Sequence, residues 1–169
     1  EGGKPLGIPV NDYCGNKSTI PDGYGGFVVM IRDWNDGYDN LLLYAFDENG
    51  DVKWGQSINA TINDMAISTG QNAIYFVSSV YDWNNGIDTL NVYKIDAYGN
   101  VEWHEQFEST EIWDEWNEVD AVSDGAGGVI VCWSSNDLIL ALRLDQDGNS
   151  LWNDTAGVEI PSGREHFLW

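Results

Sequence analysis

The chain has 169 residues, of which 43% are hydrophobic and 13% aromatic, which is enough to form a folded domain with a buried core. Its 28 acidic and 7 basic residues give a formal charge of −21, which excludes nucleic acids and anionic membranes as partners because both are bound through Lys and Arg. No apolar run approaches the roughly 20 residues of a membrane-spanning helix, so membrane insertion is not expected.

The first predicted elements are a strand in GGFVVMIRDW, residues 25–34, and a β-hairpin in LLLYAFDENGDVKW, residues 41–54. The hairpin has two apolar strands, a four-residue turn and a Trp in the second strand, a pattern typical of antiparallel pairs. A shorter strand, DMAIS at residues 64–68, follows it. These segments together predict about four strands in the first part of the chain.

The same pattern recurs twice, because the turn and its tryptophan repeat at intervals of 49 residues, with Trp54, Trp103 and Trp152 at equivalent positions. Upstream strands NAIYFVSSVYDW and GGVIVCW precede the second and third hairpins, and EVDAV and HFLW follow them. Sustained helical periodicity is absent, and turn residues interrupt the chain every ten residues or so. The sequence therefore predicts an all-β domain of three units, at about 22–68, 69–122 and 123–169.

The third unit carries a resemblance to a known family. SDGAGGVIVCW, at residues 123–133, is followed by LALRLDQDGNSLWNDTAGVEI, at residues 140–160. This resembles the secreted prokaryotic β-propeller-type repeats whose units read S-D-G-x-G-G-x-x-V-x-W, then l-D-x-x-G-n-x-l-W, then G-v-x-I. The first unit matches well, whereas the second lacks the glycine pair. The resemblance implies that each unit is a four-stranded antiparallel, propeller-like blade, and it implies an extracellular or cell-surface location.

The ends of the chain are offset from the units, because GIPV at residues 7–10 matches GVEI at residues 157–160. Residues 1–21 are therefore expected to complete a blade or to pair with a neighbouring subunit. Closed propellers use roughly 4 to 8 blades, and unpaired blade edges recruit further strands. We expect a chain with three units either to assemble with copies of itself into an oligomer or filament, or to be a piece of a longer protein.

The acidic turns raise the question of calcium. An Asp followed by a Gly three residues later is what a tight hairpin turn with a left-handed Gly requires, and this explains all three turns. A calcium site needs six to eight oxygen ligands, which only the first and third turns approach. The candidate ligands are Asp47, Asn49, Asp51, Asp145, Asp147 and Asn149. No cofactor is required by the pattern, and calcium is a candidate.

Two kinds of tryptophan are expected to differ in role. The repeated Trp after each turn suits a wedge between neighbouring blades, since large aromatics dominate core burial. Trp34 and Trp83 lie instead in a shared D-W-N-x-G loop, beside Asn35 and Asn84. Such a loop can pack against protein, or it can stack on a sugar ring while its polar neighbours bind the hydroxyls. Glycan binding, in the manner of a lectin, is therefore the alternative to self-assembly.

The remaining candidate residues do not indicate catalysis. The only histidines are His104 and His166, and no nucleophile elbow or His/Cys metal spacing is present, so a non-catalytic structural or adhesion protein is expected. Cys14 and Cys132 could form one disulfide or remain free thiols. Three N-x-S/T sequons mark candidate glycosylation sites and favour an extracellular location: Asn16, Asn59 and Asn153.

Overall fold

The computed structural model describes most of the chain, and the architecture below concerns residues 6–8, 13–35, 38–59, 64–69, 73–82, 87–109, 119–135, 138–152 and 158–160. These ranges contain twelve β-strands, arranged as three antiparallel sheets of four strands each. The predicted all-β class is confirmed. None of the ranges contains a helix that is long and apolar enough to cross a membrane.

The first sheet is a simple meander. It consists of β1 (Tyr13–Pro21), β2 (Phe27–Asn35), β3 (Tyr38–Phe46) and β4 (Val52–Asn59), which lie side by side in chain order. The two central strands are apolar on both faces, as is usual for strands covered on both sides. The sheet is therefore built from sequence neighbours joined by short connections.

The second sheet repeats this arrangement. Its strands are β5 (Asp64–Thr69), β6 (Ala73–Asp82), β7 (Ile87–Asp96) and β8 (Val101–Ser109), again in chain order. The pairing between β7 and β8 shifts register after Lys94, just as the pairing between β3 and β4 shifts after Ala45. Each shift is a bulge that follows the hairpin turn, so the two hairpins share their local geometry.

The third sheet contains β9 (Val119–Ser123), β10 (Val129–Ser135), β11 (Leu138–Leu144) and β12 (Val158–Ile160). Its spatial order is also first to fourth, because β12 pairs with β11 at the outer edge. The outer strand differs from those of the other sheets. An isolated bridge joins Leu144 to Ser150, and among the described residues β12 pairs with β11 from Val158 to Ile160.

Each sheet begins one strand earlier than the corresponding predicted unit. Units at 22–68, 69–122 and 123–169 place DMAIS and EVDAV at the ends of the first two units. In the structure these segments form β5 and β9, the first strands of the second and third sheets. The reason is local: each pairs with the strand that directly follows it. Strand β1 likewise pairs with β2 in the first sheet, and the two roles expected for residues 1–21 stay predictions.

The sheets pack face to face in the order of the chain, and β5 contacts both β1 and β9. The core between the first and second sheets contains Val28, Met30, Leu41, Leu43, Ala45, Ile74, Phe76 and Ile95. The core between the second and third sheets contains Ala73, Tyr75, Val77, Leu90, Val92, Val119, Val129, Val131, Trp133, Leu142 and Leu144. On the other face of the first sheet, Leu6 and Ile8 pack against Val29, Ile31 and Phe46.

Candidate functional site

The three hairpin turns share one geometry. In the first turn, the backbone N–H of Asp47 donates to the Asp51 carbonyl at 2.9 Å, and the backbone N–H of Gly50 donates to the Asp47 carbonyl at 3.0 Å. The carboxylate of Asp47 then accepts the N–H groups of Asn49 and Asp51, both at 2.9 Å. Equivalent bonds occur around Asp96 and Asp145. Each turn glycine has a positive φ, so the interpretation of these segments as hairpin turns is confirmed.

The turn carboxylates have local hydrogen-bond partners, and this bears on the candidate calcium ligands. At Asp145, hydrogen bonds from the Asn149 side chain and from backbone N–H groups hold the pKa below its usual value. Asp145 and Asp47 each use one carboxylate oxygen for two backbone N–H groups. In the part of the chain that the structure describes, no group of three or more His, Cys, Asp or Glu is arranged to hold a metal. Calcium stays a candidate ligand of these turns and not a requirement.

Two further turns have the same construction, although the sequence analysis did not identify them as hairpin turns. Asp22 accepts the N–H groups of Tyr24 and Gly26 at 2.7 and 2.9 Å, and Asp124 accepts those of Ala126 and Gly128, both at 2.8 Å. These turns join the first and second strands of their sheets. The signal was present in the sequence, because D-x-x-G-G places an acceptor and a left-handed glycine at the same spacing as D-x-x-G.

The carboxylates of these two turns also bind a cation of their own sheet. Lys53 Nζ lies 3.0 Å from Asp22 Oδ2, and Arg143 donates from Nε and Nη2 to Asp124 Oδ2 at 3.1 and 2.9 Å. The Asp124 side chain is only 2% exposed. The N–H of Ala126 and the Arg143 guanidinium keep its pKa below the usual value, although burial opposes them. These ion pairs fix the inner turns against the outer hairpins.

The repeated tryptophan joins one sheet to the next. Trp54, on the outer strand of the first sheet, donates from Nε1 to the carbonyl of Ala97 at 2.9 Å. Ala97 is the residue after Asp96 in the hairpin turn of the second sheet. The indole also fills the space over that turn, because a Cβ on Gly99 would lie 2.8 Å from Trp54 Cδ2. The tryptophan and the turn together form what we call a tryptophan–turn joint.

The second and third sheets are connected by the same joint. Trp103 Nε1 donates to the carbonyl of Gln146 at 3.0 Å, across the same separation of 43 residues. A Cβ on Gly148 would lie 3.4 Å from Trp103 Cδ2. The predicted role of the repeated tryptophan as a wedge is therefore confirmed for Trp54 and Trp103. The backbone acceptor was not predicted, because every residue has a carbonyl and the residue type does not show which one accepts.

The second joint has two additional contacts. The hydroxyl of Tyr75 donates to the carbonyl of Gly127, and Lys94 Nζ donates to the Gln146 carbonyl at 2.9 Å. Tyr75 is fully buried and its ring lies 5.9 Å from that of Trp103. Burial, with the nearby negative charges of Asp124 and Glu102, raises the pKa of Tyr75 to about 12. The hydroxyl therefore remains a donor at neutral pH.

A shallow crevice opens beside the first joint. It has a volume of about 290 Å³, solvent-facing space included, and its lining contains Asp22, Tyr24, Lys53, Trp54 and Ala97. The polar groups in it are already used, because Lys53 binds Asp22 and the Trp54 indole binds Ala97. Lys53 Nζ also lies 5.9 Å from the centre of the Tyr24 ring. The crevice lies where Trp54 packs on the turn of the second sheet. Few of the groups that line it are available to recognise a ligand.

His104 takes part in a polar contact on the outer part of the second sheet. Its ring stacks on Tyr93 with centroids 4.0 Å apart, and its Nε2 lies 3.0 Å from Asn91 Oδ1. Gln106 donates to the same oxygen at 2.9 Å. Burial lowers the pKa of His104, although Glu105 opposes this effect. His166 lies outside the described residues, and the expectation that the protein is not an enzyme stays a prediction.

The candidate glycan-binding residues are only partly described. The backbone of Trp34 and Asn35 ends β2, where Trp34 pairs with Asp39, whereas Trp83 and Asn84 lie outside the described residues. Glycan binding therefore stays a prediction.

The cysteines and sequons are distributed over several strands. Cys132 lies half-buried on β10, and burial together with the charge of Asp120 raises the pKa of its thiol. Cys14 lies on β1 of another sheet, and the bridge between the two cysteines stays a prediction. Asn16 lies on β1 and Asn59 at the end of β4, while Asn153 lies outside the described residues. Their glycosylation also stays a prediction.

Comparison of the chain with protein-family models and with curated proteins finds no match. The resemblance to β-propeller-type repeats therefore stays a prediction from the motifs of the three units. The described residues supply an independent feature, the tryptophan–turn joint, which occurs twice with the same donor, the same acceptor position and the same separation.

Proposed function

We propose that this chain is a non-catalytic structural or adhesion protein of the cell exterior, and that it assembles with copies of itself through propeller-like blades. In this proposal each four-stranded sheet is one blade. The observation that carries the proposal is the repeated tryptophan–turn joint, with Trp54 on the Ala97 carbonyl and Trp103 on the Gln146 carbonyl. The chain thus contains a contact whose donor, acceptor position and residue separation repeat from one blade to the next.

The joint is directional, which supports assembly by addition. Its donor comes from the outer strand that follows a turn, and its acceptor comes from the turn of the next blade. Two different surfaces meet, so the contact is heterologous, and heterologous contacts build rings when the rotation closes and filaments when it does not. Closed propellers use roughly 4 to 8 blades, so the three blades of these 169 residues do not close a ring by themselves.

The charge of the chain suits a protein that must stay soluble while it presents repeated surfaces. With a formal charge of −21, copies repel one another at low ionic strength. Salt screens this repulsion over a Debye length of about 8 Å at physiological ionic strength. We therefore expect assembly to strengthen with added salt.

The test is the mass and shape of the purified 169-residue protein. Light scattering after size exclusion, from low to high micromolar concentration and at low and physiological salt, is expected to show a mass above that of the monomer that rises with concentration. Electron microscopy of the same samples is expected to show rings or filaments. A monomeric mass at every concentration and salt would contradict self-assembly.

A further inference from the structure

The two joints differ at one strand position, although their tryptophans and turns match. Ala45 on β3 and Lys94 on β7 hold this position, 49 residues apart, and each pairs directly with the tryptophan of its joint. In the second joint, Lys94 Nζ donates to the Gln146 carbonyl at 2.9 Å, and the Trp103 indole donates to the same oxygen at 3.0 Å. Alanine has no donor, so Ala45 supplies no ammonium group to the first joint.

The acceptor for such a group is present in the first joint. The Ala97 carbonyl lies in the turn 96–100, whose backbone hydrogen bonds match those of the turn that contains Gln146. A carbonyl oxygen has two lone pairs, and the Gln146 oxygen accepts two hydrogen bonds. Among the described contacts, the Ala97 oxygen accepts one, from Trp54 at 2.9 Å. Ala97 therefore offers an acceptor where Gln146 receives Lys94.

The same strand position also leaves space beside the first joint. Tyr75 pairs with Lys94 across neighbouring strands, and Val28 pairs with Ala45, so two small side chains stand where the second joint has two large ones. The crevice of about 290 Å³ opens here, and Ala45 and Ala97 are among its lining residues. Because that volume includes solvent-facing space, the crevice suits a slender alkyl chain better than a sugar ring.

The charges around the crevice favour a cation. In the second joint, Glu102 lies 2.8 Å from Lys94 Nζ and offsets its charge. In the first joint, Lys53 stands at the Glu102 position, but Asp22 offsets it at 3.0 Å. The carboxylate of Asp96, directly before the acceptor residue, adds negative charge, and the chain as a whole carries −21. A cation is therefore attracted to this region, whereas an anion is repelled.

We propose that the crevice beside Trp54 binds a primary ammonium group on an unbranched alkyl chain, such as a lysine side chain or a free alkylamine. The ammonium donates to the Ala97 carbonyl, as Lys94 donates to Gln146, and the alkyl chain lies over Ala45. This inference does not depend on self-assembly, because both joints lie within one chain. One charged hydrogen bond and a few methylene groups predict a weak site, with a roughly millimolar dissociation constant.

The probe is n-butylammonium, which reproduces the lysine side chain. Heteronuclear NMR follows the indole N–H of Trp54, identified by its loss in Trp54→Phe, because the bound ammonium shares its acceptor oxygen. A saturable shift of this resonance is expected. Butyltrimethylammonium has the same charge and chain but no N–H, so we expect it to bind at least about tenfold more weakly. Equal binding of the two ligands would mean a general attraction of cations to the acidic chain and would overturn the proposal.

A second ligand distinguishes the two sources of the ammonium group. Nα-acetyl-lysine N-methylamide carries the same side chain on a peptide backbone. If it shifts the Trp54 indole resonance as n-butylammonium does, the site accepts lysine side chains of other proteins. If only n-butylammonium shifts it, the proposal holds for free alkylamines.

The variant Ala45→Lys tests the location of the site. Its new side chain supplies the ammonium from within the chain, as Lys94 does, and should weaken n-butylammonium binding by at least about tenfold. Val122→Lys adds the same charge at a 57% exposed residue of the third sheet and is the matched control, with an affinity expected within about twofold of wild type. Unchanged binding by folded Ala45→Lys would place the ligand elsewhere and contradict the proposal.

The variant Lys94→Ala keeps the proposal testable should Ala45→Lys not fold. It makes the second joint resemble the first at this position, so n-butylammonium is expected to replace the lost ammonium on the Gln146 carbonyl. The ligand should therefore raise the melting temperature of Lys94→Ala more than that of the wild type, and butyltrimethylammonium should not. Equal shifts of the two proteins would show that these joints do not accept a free ammonium group, and the proposal would fail.

Discussion

The indole of Trp54 lies over Gly99, so close that a Cβ on the glycine would be 2.8 Å from Trp54 Cδ2. Gly99 is also left-handed, with a φ of 90°. One residue type thus satisfies two separate requirements, a backbone conformation that L side chains rarely adopt and an empty space for the tryptophan of the preceding sheet. The turn and the tryptophan are therefore complementary parts of the joint.

Gly99→Ala is expected to lower the free energy of unfolding by about 2–5 kcal/mol. A left-handed alanine costs roughly 1–2 kcal/mol, and the displaced indole adds an overpacking cost of about 1–3 kcal/mol. The matched control is Gly125→Ala, because Gly125 is also left-handed but a Cβ there would meet nothing within 4 Å. Urea denaturation of both variants isolates the joint, and equal destabilisation would contradict the close contact.

Gly148 extends this comparison to the second joint. A Cβ at Gly148 would lie 3.4 Å from Trp103 Cδ2, a tight but tolerable contact. Gly148→Ala is therefore expected to fall between Gly99→Ala and Gly125→Ala in its effect on the free energy of unfolding. The same urea titrations measure it, and a loss larger than that of Gly99→Ala would show that the second joint is the more tightly packed one.

Tyr75→Phe is expected to destabilise the protein by about 1–3 kcal/mol. The variant removes the hydroxyl that donates to the Gly127 carbonyl of the next sheet, and a buried acceptor left without a partner carries a desolvation cost of that size. Tyr98→Phe is the matched control, because Tyr98 is 81% exposed. Chemical denaturation should give Tyr75→Phe a lower midpoint than Tyr98→Phe. Equal midpoints would argue against a stabilising contact at Tyr75.

The same tyrosine predicts a loss of stability in alkali. Its pKa is about 12 in the folded chain against an ordinary value of 10.0, because burial disfavours the phenolate and the charges of Asp124 and Glu102 add to this. A pKa raised by folding contributes stability that is complete below pH 10 and is lost as the pH rises towards 12. The free energy of unfolding, followed by urea titration across this window, should fall more steeply in the wild type than in Tyr75→Phe.

Asp124→Asn tests the inner ion pair. The amide oxygen can still accept the N–H groups of Ala126 and Gly128, but Arg143 loses a charged partner that is only 2% exposed. A loss of about 1–3 kcal/mol is expected at neutral pH. Asp147→Asn, at an exposed position, is the control. Urea denaturation of the three proteins measures the difference.

The effect of Asp124→Asn should depend on pH in one direction. The folded pKa of Asp124 lies below its ordinary value of 3.8, so the ion pair contributes stability above about pH 4 and loses it as the pH falls through the folded pKa. The difference between wild type and variant should therefore shrink in acid. A difference that stays constant below pH 3.8 would show that the carboxylate charge is not what stabilises the turn.

Local patterns in the sequence predicted the hairpins, their turns and the wedge made by Trp54 and Trp103. All of these are encoded within a few residues, since an Asp acceptor and a left-handed glycine specify the turn and the tryptophan follows at a fixed distance. The sheets begin one strand earlier than the predicted units, of which the first and third were taken to start at D-x-x-G-G. In fact Asp22 and Asp124 close hairpin turns there, and these turns join each first strand to its own sheet.

Other parts of the joints could not be predicted. Tyr75 and Lys94 bind carbonyls 52 residues away, on another sheet, and neither residue recurs in the other units. The acceptors themselves, Gly127 and Gln146, act through backbone oxygens that any residue would supply. Contacts of this kind depend on how the sheets pack, which the periodic pattern of a single strand does not encode.

Removal of calcium is expected to leave the melting temperature of the protein unchanged. The turn carboxylates are stabilised by backbone N–H groups, two each on Asp47, Asp96 and Asp145, so the turns need no cation to offset their charge. Thermal unfolding with a chelator, with excess calcium, and with magnesium as a control for ionic strength measures this. A rise of several degrees with calcium but not with magnesium would contradict the expectation and place a calcium site in the folded protein.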